Sequence, residues 1–226
     1  MDVFLIIIQC IGAVSFTVSA TIYAIHKRAD IIGALVFSLL TCFGGGAMRD
    51  LLIGNLPVSI LSNKTLIGTA ILSVGVCIIC YNLGFIKKVA GFADRHQHSF
   101  IIEFTDSLGL ASYVISGLEI ARETGNDGFV VLVFAGCITA VGGGILRDVC
   151  SAEIPAVFRK HIYLIPVIIA SVFFTLTYKH MNEVLCVIIT MVIVITIRML
   201  AFKFKWNLPI PKTEEEEEKT KELLPK

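Results

Sequence analysis

The sequence predicts an all-α integral membrane protein of seven transmembrane helices, arranged as two inverted three-helix repeats and a seventh helix, with helices two and five kinked at glycines. Three observations predict it. Of 226 residues, 56% are apolar and only 16% charged, with a mean hydropathy of +0.84, a balance that soluble domains of this length do not show. Apolar stretches recur at 4–25, 31–53, 66–85, 100–120, 129–150, 162–178 and 184–202, each near the roughly 20 residues that cross about 30 Å of hydrocarbon. Finally, one motif occurs twice, as Gly44-Gly45-Gly46-Ala47-Met48-Arg49-Asp50 and as Gly142-Gly143-Gly144-Ile145-Leu146-Arg147-Asp148. The formal net charge of +1 gives no bulk attraction for nucleic acid or acidic substrates.

The first segment follows Met1 without a basic region or a cleavage site, so it reads as a retained span rather than a removed signal peptide, and His26-Lys27-Arg28 closes it. Segment two carries the first glycine triplet and stops before Asn55-Leu56-Pro57. Segment five carries the second triplet and stops before Glu153-Ile154-Pro155, so proline halts both helices at the matching place. The third segment contains Cys77 and Cys80 as a C-x-x-C that lacks a second ligand pair. These two, with Cys10, Cys42, Cys137, Cys150 and Cys186, read as reduced core thiols, and no metal site is expected. In segment four, Glu103 and Asp106 share a helix face that Ser112, Ser116 and Glu119 join, Glu103 being either at the membrane interface or on the pathway with Asp106. Beyond segment seven, Pro209-Ile210-Pro211 and the run from Glu214 to Glu218 read as a disordered cytosolic tail.

The repeat extends past the glycines. At an offset of 98, Thr41 falls on Thr139, Arg49 on Arg147, Asp50 on Asp148 and Pro57 on Pro155; at 97, Gly12, Ser15, Phe16 and Ser19 fall on Gly109, Ser112, Tyr113 and Ser116. The chain therefore divides into a first three-helix repeat with its connecting loop (1–99), a second repeat (100–180), a seventh helix (181–205) and the tail (206–226). Three spans per copy is an odd number, so the copies have opposite orientations in the bilayer, an arrangement that places a pathway near the pseudo-two-fold axis. Lys64, Arg122 and Lys179 lie on the amino-terminal side. Ten basic residues, Lys27, Arg28, Lys87, Lys88, Arg95, Arg159, Lys160, Lys203, Lys205 and Lys212, lie opposite. The positive-inside rule then puts the amino terminus outside and the carboxyl terminus in the cytosol.

Three glycines remove ~2–3 kcal/mol of helix preference relative to alanine. Broken helix is tolerated in a bilayer only where the freed backbone is buried in protein or lines a water-filled cavity, so the triplets predict kinks beside a polar pathway. Small residues also let helices approach closely, and the two roles are compatible. Arg49, Asp50, Arg147 and Asp148 are intramembrane charges that need partners. Neighbours on a helix do not face one another, so each charge is expected to be met from another helix, pairing of the two copies across the axis being one such arrangement. Asp50 and Asp148 are the expected partners of the arginines, which act either as structural struts, the favoured role, or as barriers to cations. Asp106, Ser15, Ser19, Thr41, Ser112, Ser116 and Thr139 are the candidate lining residues, the hydroxyls as neutral oxygen ligands or bonded to their own helices.

At these residues the chain resembles the prokaryotic trimeric intracellular cation (TRIC) channels, formerly grouped as putative glycine-transporter domains, over about residues 3–202. The resemblance implies a homotrimer, each protomer with its own hourglass pore lined by helices two and five together with helices one and four, passing monovalent cations and favouring potassium. It implies no resident cofactor beyond permeant K+ or Na+, and no partners other than further copies, membrane lipids and permeant ions. Animal members carry a lysine-containing phosphoinositide motif at the fourth helix; Glu119 and Arg122 do not make it, which argues for a bacterial or archaeal cell (inner) membrane. A small-molecule transporter for a glycine-like substrate is the other function class, with Arg49 or Arg147 available to a carboxylate. No nucleophile and base are placed together, and the five histidines fall in loops or at span ends, so no enzyme is expected.

Overall fold

The computed structural model describes residues 3–59, 63–84, 100–159 and 162–206 (without the side chains of Ile101 and Arg159), and among these it is helical with no strand. The helices are α1 (Val3–His26), α2 (Ile31–Ile53), α3 (Lys64–Asn82), α4 (Phe100–Glu123), α5 (Phe129–Cys150), α6 (Ala156–Arg159), α7 (Ile165–Thr177) and α8 (Glu183–Phe204). Seven correspond to the predicted segments. The addition is α6, a turn of four residues. It forms because Pro155 stops α5 from continuing, and Asp148 Oδ2 then accepts the Ala156 N–H at 2.8 Å, satisfying a donor that a new helix start leaves open. The predicted sixth segment begins three residues early: Pro166 sits in the first turn of α7, where its missing N–H costs nothing, and Ile162–Leu164 precede the helix. The predicted tail lies outside the described residues apart from Trp206.

Side-chain caps fix the helix starts. Asp30 accepts from Gly33 N at 2.7 Å, Asn63 from Leu66 N at 3.2 Å, and Asn182 from Val184 N at 3.0 Å. Five helices (α1, α2, α3, α5 and α8) are long and apolar enough to cross a membrane; α4 is 24 residues long but carries Glu103, Asp106 and Glu119, and α7 has only 13. Large apolar side chains such as Ile32, Leu72 and Val130 face outward, an arrangement suited to lipid rather than water.

The deepest packing lies where α5 meets α2 and α4 and where α1 runs beside α4, and two of these contacts, α2 on α5 and α1 on α4, join the repeats; α3 flanks α1, α7 packs on α5, and α8 covers α4 and α7. Both central contacts are reciprocal. A Cβ on Gly45 would fall on the Thr139 carbonyl, and a Cβ on Gly143 would fall on the Thr41 carbonyl. Gly44 and Gly142 meet the side chains of Leu146 and Met48 in the same mirrored way. Between α1 and α4, Phe16 stacks on Tyr113 with centroids 5.1 Å apart, Gly12 lying under the tyrosine and Gly109 under the phenylalanine. Residues paired by the sequence offsets thus exchange places across one axis.

Hydrogen-bonded α-helix runs without interruption through both glycine triplets. Any kink at the triplets is thus a bend within continuous helix, without freed backbone groups. The compensation for three glycines comes from backbone-to-backbone contact between α2 and α5, which no larger residue permits at Gly45 or Gly143.

Candidate functional site

Between α1, α2, α4 and α5, on the amino-terminal side of the glycine crossing, lies a cavity of about 350 Å³. Its inner wall is Gln9, Gly46, Tyr113, Ser116 and Thr139; Asn55, Ser59 and Asn63 of the α2–α3 connection and Glu123 and Thr124 at the end of α4 lie towards its mouth, with Arg49 on one side. The fold puts them together because helices meeting only at small residues diverge towards their ends. Gln9 donates to Ser116 Oγ at 2.9 Å, linking α1 to α4 across the wall.

Arg49 is buried, 1% exposed, yet its charge is matched locally. Its Nε and Nη2 lie 2.9 and 2.7 Å from Asp50 Oδ1, and Nη2 and Nη1 also reach Ser59 Oγ at 3.0 Å and Thr139 Oγ1 at 3.5 Å. Asp50 Oδ2 accepts from Ser59 N at 2.7 Å and from the Ser59 hydroxyl at 2.5 Å, and Asn55 donates to Oδ1. The second copy repeats this: Arg147 Nε and Nη2 bind Asp148 Oδ1 at 2.9 and 2.8 Å while Asp148 Oδ2 holds the start of α6. The arginines thus pair with the two expected aspartates, and the expectation of a partner on another helix is corrected to pairing within each motif. Although adjacent Cβ atoms diverge around a helix, a guanidinium on its long stem reaches back to the neighbouring carboxylate. Each aspartate has a second oxygen left to tie down the chain after the helix, so the pair acts as a strut at the end of α2 and of α5.

Beyond the crossing, on the carboxyl-terminal side, the Arg147 guanidinium lies 4.5 Å from the Tyr23 ring centroid, and the Tyr23 hydroxyl contacts Ser151 Oγ at 2.6 Å and Glu153 Oε2 at 3.0 Å. Lys27 forms an ion pair with Glu153. Asp106 and Glu103 are both buried and both accept from Arg198 Nη2 of α8, at 3.2 and 2.8 Å. Glu103, in the first turn of α4, is therefore packed inside the bundle on a salt bridge.

Of the candidate lining residues, Ser116 and Thr139 line the cavity. Thr41, Ser112 and Thr139 donate to their own helix, to the carbonyls of Phe37, Leu108 and Ala135. Ser15 and Ser19 are buried on α1, and Asp106 belongs to the Arg198 cluster. Sequence reasoning passed over Gln9 and Arg198. A signal existed for Gln9: the offset of 97 pairs it with Asp106. Among the described residues no group of three or more His, Cys, Asp or Glu is placed to hold a metal, and the seven thiols are free.

An all-helical bundle with outward apolar faces, buried charge pairs at mirrored positions and a polar cavity beside its central crossing defines an integral membrane protein built on an internal repeat. The chain belongs to the glycine transporter family, whose model matches it twice, at residues 6–82 and 103–179. It is similar to a UPF0126 membrane protein of Deinococcus radiodurans (35% identical, covering 68% of this chain and 66% of that one) and to the UPF0126 inner membrane protein YadS of Escherichia coli K12 (30%, covering 73% and 74%). Among solved structures, a TRIC cation channel studied for its conductance superimposes with a TM-score of 0.80 at 29% identity, over 94% of this chain and all but 1% of the other's length, since 99% is covered. A TRIC orthologue from Rhodobacter sphaeroides gives a TM-score of 0.75 at 26% identity, over 90% of this chain and 100% of its own. Family and fold together make the chain a homologue of the prokaryotic TRIC channels. These neighbours are channels rather than enzymes.

Proposed function

We propose that the protein is a cation channel that favours potassium, assembled as a homotrimer in the cell (inner) membrane with one pore per protomer and the amino terminus outside. The observation that carries the reading is the polar cavity wedged between α1, α2, α4 and α5 and ending at the glycine crossing, in a chain whose fold matches TRIC cation channels over nearly its whole length. The pathway runs from this cavity past the crossing to the Asp106 side. Its narrowest point lies beside the contact of Gly45 and Gly143 with the opposing carbonyls, and bending of α2 and α5 about the triplets, with that contact kept as the pivot, widens it. Permeant K+ or Na+ is its only cargo, met by amide and hydroxyl oxygens, and it needs no resident cofactor.

A transporter that captures a glycine-like carboxylate would need an available cation. In the cavity Arg49 is already committed to Asp50, Ser59 and Thr139, which disfavours that alternative. Recording of purified protein in planar bilayers beside uptake of labelled glycine by proteoliposomes tests the choice. Unitary potassium currents without saturable glycine uptake are expected, and saturable uptake without unitary currents would overturn the reading.

A further inference from the structure

The repeat assigns to each wall residue of the cavity a counterpart on the carboxyl-terminal side. Gln9 corresponds to Asp106, Gly46 to Gly144, Ile120 to Tyr23 and Ser116 to Ser19. The glycine and serine pairs match, but Gln9 and Asp106, and Ile120 and Tyr23, are chemically unlike. Where the first half presents a neutral amide, the second presents a carboxylate, and the structure surrounds that carboxylate with groups that have no equivalent in the first half. Tyr163, from the segment before α7, donates to Asp106 Oδ1 at 3.3 Å, and its hydroxyl lies 3.9 Å from where a Gly144 Cβ would stand. Arg198 comes from α8, the helix outside the repeat. Its Nη2 bridges Glu103 and Asp106, its guanidinium carbon lies 4.4 Å from the Tyr163 ring centroid, and its buried Nε has no hydrogen-bond partner.

An arginine accommodated with an orphaned N–H is held there by its charge more than by complete satisfaction of its donors. Among the described residues the cluster brings two carboxylates to one guanidinium, whereas Arg49 with Asp50 and Arg147 with Asp148 are one-to-one pairs. A carboxylate bound by an arginine attracts cations less than a bare one, and the difference grows where low-dielectric walls focus the field.

We propose that Arg198 sets the cation affinity of the carboxyl-terminal half of the pathway, by masking Asp106 with a charge delivered from the helix outside the repeat. This rests on the channel reading. In that role Arg198 is a positioning and charge-setting residue: it clamps Asp106 and Tyr163 against Gly144, and it fixes how much negative potential a permeant ion meets after the glycine crossing. The two ends of the pathway then differ in charge although their helices are related by the repeat, so current is rectified.

Single-channel recording of the full chain in planar bilayers tests this, with the wild type as the first arm. If the wild type carries no cation current, the channel reading itself fails, separately from this inference. With a conducting wild type, Arg198→Gln should raise unitary potassium conductance at low salt by roughly threefold and change the ratio of currents at opposite voltages, with the gain shrinking as salt screens the cluster. Asp106→Asn, which leaves the arginine facing Glu103 alone, should lower the conductance, and the double variant Arg198→Gln/Asp106→Asn should return towards wild type. Arg198→Lys, which keeps the charge, should conduct like the parent even where it melts lower. A purely structural arginine would give variants that melt lower without salt-dependent conductance or reversal in the double variant, and that outcome overturns the proposal. Should Arg198→Gln not fold, Asp106→Asn decides: unchanged conductance and rectification overturn it.

Discussion

Replacing Gly143 with alanine probes the central crossing at one atom. The added Cβ would land on the Thr41 carbonyl oxygen, with the Thr41 carbonyl carbon at 2.7 Å and the Leu40 oxygen at 2.9 Å, all backbone that cannot swing aside. The helices must separate there, and overpacking of this kind costs about 1–3 kcal/mol. Alanine recovers up to about 1 kcal/mol of helix preference, leaving a net loss of about 1–2 kcal/mol. For a chain of this size that corresponds to a fall of roughly 2–8 °C in melting temperature. One residue on, Gly144→Ala meets only the Tyr163 hydroxyl, at 3.9 Å, an ordinary contact. It should leave the melting temperature unchanged or raise it, as should Gly68→Ala and Gly75→Ala on α3, where nothing lies within 4 Å. Melting in detergent, followed by tryptophan fluorescence or by loss of the size-exclusion peak, reads all four. By the mirrored contact, Gly45→Ala should behave like Gly143→Ala. Equal melting of the Gly143 and Gly144 variants would refute the claim that the triplets serve close approach.

Asp50→Asn removes the charge that balances Arg49 and replaces one of the two acceptor oxygens, which between them serve Arg49, Asn55 and Ser59, with a donor at a fully buried position, so it should cost about 3–5 kcal/mol and abolish most folded yield; a normal yield would sink the strut assignment. Asp148→Asn breaks fewer bonds at a slightly more open site and should cost less, which parallel melting curves will rank. Cross-linking in mild detergent should trap three chains, and a monomer that still conducts would contradict the trimer. A cysteine placed at Asn126, beyond α4, in a background lacking the native cysteines should react with an impermeant thiol reagent from outside intact cells. Labelling only after the membrane is opened would reverse the proposed orientation.

Much of the fold was legible because membrane helices advertise themselves by length and because a duplicated motif gives every residue in one copy a test in the other. The pairing of Gly45 with Gly143 and of Phe16 with Tyr113 across the axis follows from the offsets together with opposite orientation. That Arg49 meets its own neighbour Asp50, rather than an aspartate on another helix, was not legible. Backbone direction argues against neighbours meeting, whereas the length of the arginine side chain and the second oxygen of Asp50 decide for it. Arg198 gave no signal, since a lone cation a few residues from Lys203 at the end of an apolar helix reads as one that reaches the membrane surface. Only the packing of α8 on α4 turns it inward. The intact helix at the triplets was hidden for a related reason: propensity counts what glycine loses in isolation, and the opposing helix that makes up the loss is 98 residues away.

The two carbonyl seats at the crossing also restrict how the bundle can move. Each seat is a backbone group held in its own helix, so neither yields as a side-chain rotamer would, and two such points define a line. Helices α2 and α5 can rock about that line with both seats filled, but sliding along either axis lifts both glycines off together. Opening of this protein should therefore resemble the motion of scissors: separations measured by paired spin labels next to the rivet stay constant, while those at the far tips of the blades, Ile53 to Phe129 and Ile31 to Cys150, change.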